Sequence, residues 1–489
     1  MTNTQKVYRK LWAVSFVLLL AGSLWAQAPT SPAEKPDTSQ SAGDDSRAKQ
    51  AAVPNNGGTK ISPKEAEELF RSIDEILKFA SNDTALPIKK EVKRKLTSRE
   101  EVVSYLEKNM AEDKDAQRLR RSELVLKKFG LLPKDFNLQT FLVALLREQV
   151  AGYYDFKTKT VNMLDWVDAE QQKPVMAHEL THALQDQNFG LEKWMKAGDI
   201  DLDSKKHPTA EEMNKDEENT ARQAVIEGQA MAVLVDYELR PSGQTIQNSR
   251  EVMKALEEGM VVGTAESPQF QNAPLYLKEA MTFPYRYGVE FVADLLTAGG
   301  KQKAFAGAFS DPPRTTREIM EPKTYLAGEK LAPMKIPDFD QDFKDYERFD
   351  LGAVGEFDVA VLIDQYAGVE KSREMYPKWR GGYYYAGHLK SDLNGPLGLV
   401  YVSKWANPEW AAQFAAVYAK GMLKRYQHVH GGSNLAVADI ANLESLTGKH
   451  TFDTEDGPLV IEVKDDQVFV SESLDQATTE KVEADVWGK

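Results

Sequence analysis

The sequence predicts an α+β fold that is mostly helical, with a small antiparallel hairpin sheet and a helical second lobe. Residues 173–187 predict one helix of about four turns, because no glycine or proline interrupts the run that follows Pro174. Extended segments on either side of a polar turn predict a hairpin over residues 152–164. Helical spacing of apolar residues returns after about residue 350, which indicates the second lobe.

The composition indicates a folded protein that depends on a packed core. The chain has 489 residues, 42% of them hydrophobic, and its length predicts two or three substructures. It has no cysteine, so neither a disulfide nor a lipidated cysteine stabilises or anchors it. A formal net charge of -14 argues against nucleic acid or an anionic membrane as a partner.

The first 28 residues have the parts of a secretory signal peptide. A basic start and an apolar run at 11–20 precede Ala26-Gln27-Ala28, which is typical of a cleavage site. We expect export to the periplasm or the extracellular space, with no stable membrane insertion after cleavage; an uncleaved anchor is the alternative. Residues 29–60 are rich in Pro, Ser, Ala, Asp and Gly, which predicts a disordered linker.

Residues 178–182 read H-E-L-T-H and predict a zinc site. His178 and His182 are four residues apart, which places both imidazoles on one helix face, near enough to bind one zinc ion. Glu179 then lies beside the first histidine and can act as a general base toward water. Two of only seven histidines fall in this pattern, and the flanking residues are uncharged. We therefore favour zinc over histidines that are merely hydrogen-bonded.

The third zinc ligand lies outside this motif. Gln185 and Asn188 stand where the metzincin pattern needs Gly and His, and no cysteine is available, so a downstream glutamate is favoured. Glu227 is the lone acid in the apolar middle of a helix predicted over 220–239. The alternative for this residue is a buried ion pair with Arg222. The reserve ligands are Glu217, Glu218 and Asp236.

Several motifs resemble those of a known group. They are H-E-L-T-H-A-L-Q-D-Q, I-E-G-Q-A around Glu227, E-Q-V-A-G-Y-Y-D at 148–155, F-P-Y-x-x-G at 283–288, P-P-R-T-T at 312–316 and W-R-G-G-Y at 379–383. Over roughly Leu86 to Leu423 the chain resembles largely uncharacterised exported bacterial proteins that are predicted to be gluzincin-type zinc metallopeptidases. The resemblance implies His178, His182 and Glu227 as ligands and Glu179 as base. The chain departs from the group at Gln229, where an acid is more frequent, and after the glycines of the 379–383 segment, where the usual acid is missing.

These observations predict a zincin-like catalytic domain over residues 61–345, in which the helix with the two histidines crosses the Glu227 helix. Gly228 and Ala230 are small enough to let these two helices approach closely. A helical C-terminal lobe is predicted over 346–455, and a terminal hairpin and tail over 456–489.

Other residues are candidates for binding or catalysis. Asp199, Asp201 and Asp203 alternate as in a calcium loop, but the Gly and Glu of an EF-hand are absent from their positions, so we set calcium aside. His428 and His430 could start a second metal site, yet the glycines after them indicate a turn. Candidate donors to an oxyanion are Tyr153, Tyr154, Tyr285, Tyr287, Arg314, Tyr383 and His388.

The expected function is zinc-dependent hydrolysis of a peptide bond in a peptide or protein substrate, with Zn²⁺ as cofactor and Glu179 as base. One alternative is a non-catalytic, zinc-stabilised binding or assembly factor of the cell envelope. That alternative has no use for Glu179, because a structural site closes all four coordination positions with protein ligands. Another alternative is a zinc hydrolase of non-peptide amides that uses the same residues.

Overall fold

A computed structural model describes residues 60–102, 104, 113–148, 152–196, 208–248, 267–431 and 435–488. The fold is mixed α+β and 56% helical, as the sequence predicts. The predicted signal peptide, nearly all of the predicted linker and the three aspartates at 199–203 lie outside the described residues.

The helices of the described part vary from one turn to more than seven. They are α1 (Pro63–Thr84), α2 (Asp113–Lys128), α3 (Leu138–Glu148), α4 (Ala169–Phe189), α5 (Leu191–Lys196), α6 (Ala210–Met213), α7 (Lys215–Leu239), α8 (Pro268–Gln271), α9 (Leu275–Lys301), α10 (Ala308–Ser310), α11 (Thr316–Met320), α12 (Pro322–Leu326), α13 (Phe339–Asp342), α14 (Glu356–Ala367), α15 (Val369–Met375), α16 (Pro408–Arg425), α17 (Val437–Ile440) and α18 (Gln476–Val486). A π-helical turn, Gln302–Gly307, follows α9 directly.

Two prolines, Pro174 and Pro284, lie inside helices. The helix with the two histidines begins at Ala169, four residues before the predicted start, because the Asp168 side chain caps it by accepting from two backbone N–H groups. Pro174 is therefore in its second turn. Helix α9 likewise continues through Pro284. Each proline removes one intrahelical hydrogen bond, and the buried residues on both sides of it keep the helix intact.

The first sheet has three strands in the order β1 (Lys93–Thr97), β3 (Thr160–Leu164), β2 (Tyr153–Asp155). The predicted hairpin is confirmed: β2 and β3 are antiparallel, with Tyr154 opposite Val161. The prediction of a purely antiparallel sheet is wrong, because β1 adds to the far side of β3 in parallel. Strand β2 is consequently an edge strand.

The second sheet has seven antiparallel strands, so the prediction of a helical second lobe is wrong. Their order is β4 (Tyr346–Ala353), β5 (Trp379–Leu389), β6 (Gly398–Trp405), β10 (Gln467–Glu472), β9 (Gly457–Lys464), β8 (Gly448–Thr454) and β7 (Val429–Gly431). Helix α14 begins only at Glu356, since the residues before it are paired with β5. The predicted terminal hairpin is confirmed as β9–β10, and it joins this same sheet through β6.

Helix α7 packs between α4 and α9 in the core. The closest approach involves α9: a Cβ built on Gly228 would lie 2.2 Å from the backbone of Gly288. The sequence predicted that Gly228 would let α7 approach the helix with the two histidines. This prediction was wrong, because Gly228 faces α9 instead. Two glycines on facing helices leave only backbone between them, so α7 is held firmly against α9.

Candidate metal centre

Helix α4 carries three of the predicted site residues on its buried part. His178, Glu179 and His182 are each 1–2% exposed. The helical repeat brings the two imidazoles together as expected, with their Nε2 atoms 3.0 Å apart. The ring planes are nearly perpendicular, at 89°.

Helix α7 brings Glu227 to the same point. Its Oε2 lies 3.2 Å from His178 Nε2 and 3.5 Å from His182 Nε2. Ligand atoms that share a tetrahedral zinc ion at bond lengths of about 2.0 to 2.1 Å are about 3.3 to 3.4 Å apart. The three observed separations, 3.0, 3.2 and 3.5 Å, lie on either side of that value. Within the described part of the chain, these three residues are the one His/Cys/Asp/Glu group whose ligand atoms converge in this way.

The alternatives for the third ligand are engaged elsewhere. Arg222 contacts Glu218 at 2.5 Å, so it does not neutralise Glu227. Glu217 accepts hydrogen bonds from the backbone N–H and the hydroxyl of Thr316. Asp236 accepts from the backbone N–H of Ile246. The structure therefore groups Glu227, and none of the reserve acids, with the histidines.

Two polar atoms of the cluster are buried without a hydrogen-bond partner among the residues that the structure describes. They are Glu227 Oε1 and His178 Nδ1. An unpaired carboxylate oxygen is costly to bury, and a cation offsets that cost. The donor set of two imidazoles and one carboxylate fits zinc.

The electrostatics of the cluster arise from a buried carboxylate facing imidazoles. Burial alone would raise the pKa of Glu227, but the charges of both histidines and their hydrogen bonds to the carboxylate together outweigh it and lower the pKa to about 2. Burial alone would lower the pKa of His182, but the charges of Glu227 and Glu179, together with the hydrogen bonds to Glu227 and Gln185, outweigh it and raise the pKa to about 9. Burial lowers the pKa of His178 to about 4. In the protein alone, a proton on His182 thus supplies the positive charge that faces Glu227.

Glu179 is held by the hairpin. Its Oε2 accepts a hydrogen bond of 2.8 Å from the backbone N–H of Tyr154 on β2. The phenol of the same tyrosine donates to Asp186, two turns further along α4, at 2.8 Å. These two contacts fix the edge strand against α4. Burial raises the pKa of Glu179 to about 8.

The candidate oxyanion donors separate into two regions. The ring of Tyr285 is 6.3 Å from the ring of His178, and Tyr153 lies on β2. Tyr154 directs its phenol to Asp186, as described above. For the remaining candidates, Tyr287 accepts from Arg286, the Arg314 backbone donates to Glu318, Tyr383 packs with Phe339 and His388 packs with Phe349.

Two side chains next to the cluster were not predicted as site residues. Gln185 accepts a hydrogen bond at 2.9 Å from His182 Nδ1, and it also contacts Gln229. Both glutamines are fully buried. The sequence signal was present, because each is an uncharged polar residue in an apolar helix face one turn or less from a predicted ligand.

The second predicted histidine pair has a different setting. His428 is exposed and His430 lies on the short strand β7. Neither belongs to a converging metal-ligand group among the described residues.

Comparisons with family models, curated proteins and solved structures found no match to this chain. The resemblance of its motifs to gluzincin-type peptidases therefore stays a prediction. In the described part of the chain, no helix combines the length and apolar character required to span a bilayer.

Proposed function

We propose that this protein is a zinc-dependent peptidase. The proposal depends on the convergence of His178 Nε2, His182 Nε2 and Glu227 Oε2 at separations of 3.0 to 3.5 Å. Three protein ligands are the usual number at catalytic zinc, whereas structural zinc usually has four. Glu179 adds an acid directly beside the first ligand.

The site residues have different roles in the proposed reaction. His178, His182 and Glu227 would hold the ion, which when bound supplies a Lewis acid for a carbonyl and for water. Glu179 takes the proton of the attacking water and returns it to the leaving amine.

The hairpin favours a peptide or protein as substrate. Strand β2 is at the edge of its sheet, and edge strands bind extended peptides by strand addition. The N–H of Tyr154 donates to Glu179 and so takes no part in the ladder with β3. A peptide added along this edge would lie next to the proposed base.

One observation favours the non-catalytic alternative. The four site residues are only 1–2% exposed, as residues of a structural zinc site commonly are. The alternative and the proposal differ in what they require of Glu179, since a structural site needs no base.

The test replaces the base and keeps the ligands. Glu179→Gln preserves the side-chain oxygen that accepts from Tyr154, so the variant should bind one zinc ion per chain as the wild type does. Its turnover of a peptide library should fall by about 10² to 10⁴, the usual contribution of a general base. Zinc content is measured by elemental analysis and cleavage by mass spectrometry.

Glu217→Gln is the matched control. Glu217 is equally buried on α7, but it binds Thr316 instead of the cluster. This variant should keep both zinc and turnover. Full activity in Glu179→Gln would remove the proposed mechanism, and stoichiometric zinc without any cleavage by the wild type would favour the structural alternative.

A further inference from the structure

A pair of buried glutamines connects His182 to a turn on the far side of α7. Gln185 Oε1 lies 2.9 Å from His182 Nδ1. Gln185 Nε2 donates to the carbonyl of Ile226 and to Gln229 Oε1, both at 3.0 Å. Gln229 Nε2 donates in turn to the carbonyls of Ala304 and Phe305, at 2.8 and 3.1 Å.

The orientation of both amides follows from the backbone carbonyls at the ends of this chain of contacts. A carbonyl oxygen only accepts, so each amide must present its NH₂ group to it. The Gln229 amide therefore points its oxygen at Gln185. The Gln185 amide, held by Gln229 and Ile226, points its oxygen at His182. Nδ1 of His182 must then carry the hydrogen, which leaves Nε2 to face Glu227.

From this network we infer that Gln185 and Gln229 are positioning residues of the metal centre, which hold His182 in the tautomer and ring orientation that zinc requires. The inference rests on the proposed zinc site. Groups that fix the second nitrogen of a ligating histidine generally orient the ring and strengthen the ligand. His178 lacks such support, since its Nδ1 has no hydrogen-bond partner. His182 is thus the ligand that the protein orients in advance.

The π-helical turn Gln302–Gly307 is the anchor of the network. It follows Gly300, whose φ of 65° interrupts α9, and it contributes both carbonyls that orient Gln229. Turns of this type are rare and often occur at functional sites. An acid at position 229 would place a carboxylate against two carbonyl oxygens. The amide is therefore the side chain that suits this position.

The test compares zinc dissociation constants, measured by competition with a chelating dye. Gln185→Leu removes the partner of His182 and should weaken zinc binding by about 10- to 100-fold. Gln229→Leu leaves the Gln185–His182 contact in place and removes one supporting bond, so it should weaken binding by about two- to tenfold.

Gln223→Leu is the matched control. Gln223 is also a buried glutamine of α7, but its side-chain nitrogen has no hydrogen-bond partner. Zinc affinity in this variant should remain within about twofold of the wild type. Circular dichroism of each variant checks that it is folded, and Gln229→Leu still tests the network if Gln185→Leu does not fold.

A second readout is the protonation of His182 in the zinc-loaded protein, followed by ¹⁵N NMR of labelled histidines. The wild type should show hydrogen on Nδ1 of His182 and none on Nε2. Equal zinc affinity in Gln185→Leu, Gln229→Leu and Gln223→Leu overturns the inference and leaves the zinc site standing. Hydrogen on His182 Nε2 contradicts both, because a protonated nitrogen cannot bind zinc. A wild type that binds no zinc contradicts the proposed function instead.

Discussion

Two buried glutamates of this protein are surrounded in different ways. Glu472 on β10 is fully buried, and both of its oxygens are bound by groups of the protein. Oε1 accepts from Tyr418 and Arg425 at 2.7 and 2.8 Å, and Oε2 accepts from Tyr426 and Arg425 at 2.6 and 3.0 Å. We refer to these four residues as the Glu472 cluster.

Glu227 has no such set of partners. One of its oxygens faces two imidazole nitrogens at 3.2 and 3.5 Å, and the other has no hydrogen-bond partner. A guanidinium is always charged and completes an ion pair by itself, whereas an imidazole is charged only when protonated. The Glu472 cluster is therefore complete within the protein. Among the described residues no group pairs the second oxygen of Glu227, which supports the proposed zinc site.

The largest expected effect is on stability at the Glu472 cluster. Glu472→Gln removes the counter-charge of a guanidinium that is almost entirely buried. Leaving one partner of a buried ion pair alone costs about 3 to 5 kcal/mol, so the free energy of unfolding in urea should fall by that amount. Zinc content should not change. The control is Glu374→Gln, which removes a solvent-exposed pair with Lys371 and should cost at most about 1 kcal/mol. If Glu472→Gln lowers the free energy of unfolding by no more than this control, the account of the cluster is contradicted.

Zinc withdrawal should affect only the other cluster. At a free zinc concentration of about 1,000 times the dissociation constant, binding adds about 4 kcal/mol to the stability of the native state. A chelator should therefore lower the thermal midpoint of the wild type and of Glu472→Gln by similar amounts. It should have no effect on Glu227→Gln, which lacks a ligand. An equal response of Glu227→Gln would place the ion elsewhere.

A smaller effect is expected where α7 meets α9. The methyl group of Gly228→Ala would lie 2.2 Å from the Gly288 backbone, so the helices must separate and Glu227 must move with α7. Overpacking of this kind costs about 1 to 3 kcal/mol, and zinc affinity should fall as well. Unchanged zinc affinity in Gly228→Ala would show that the contact does not position Glu227.

The smallest expected effect is a difference in the pH at which each cluster loses its contribution. Burial alone would raise the pKa of Glu472, but the charges of Arg425 and Lys128, together with the hydrogen bonds from Arg425 and Tyr426, outweigh it and hold the pKa below 4.5. Such a group stabilises the fold above the pKa of the unfolded chain, and its contribution disappears as pH falls through the lower folded value. The stability difference between wild type and Glu472→Gln should thus stay constant at neutral pH and shrink below about pH 4.5.

Zinc affinity should weaken at a higher pH than this, because protons compete with the metal for His182, whose pKa is about 9 in the protein alone. Urea unfolding and zinc titration over the same pH series check both statements. Loss of the two contributions in a single pH range would remove the distinction between the clusters.

Local pattern was enough to predict the convergence of the site residues. The spacing of His178 and His182 determines one helix face, and Glu227 stood out because it was the lone acid in an apolar helix. The hairpin at 153–164 could also be predicted from the sequence, since its strands are separated by one short turn.

The second sheet could not be predicted from the sequence in the same way. Strand β6 pairs with β10, so Leu399 is opposite Glu472, more than seventy residues away. Such a register depends on which buried faces meet after folding, and a local hydrophobic pattern does not encode it. The facing glycines 228 and 288 are a similar case, because a contact between two helices leaves no signature in either helix alone.

The most direct test of the account is a crystal structure of the zinc-loaded protein with anomalous scattering measured at the zinc edge. We expect one anomalous peak, at about 2.0 to 2.1 Å from His178 Nε2, His182 Nε2 and an oxygen of Glu227. A peak away from these three atoms, or no peak in protein loaded with stoichiometric zinc, would contradict the claim that they form a metal centre.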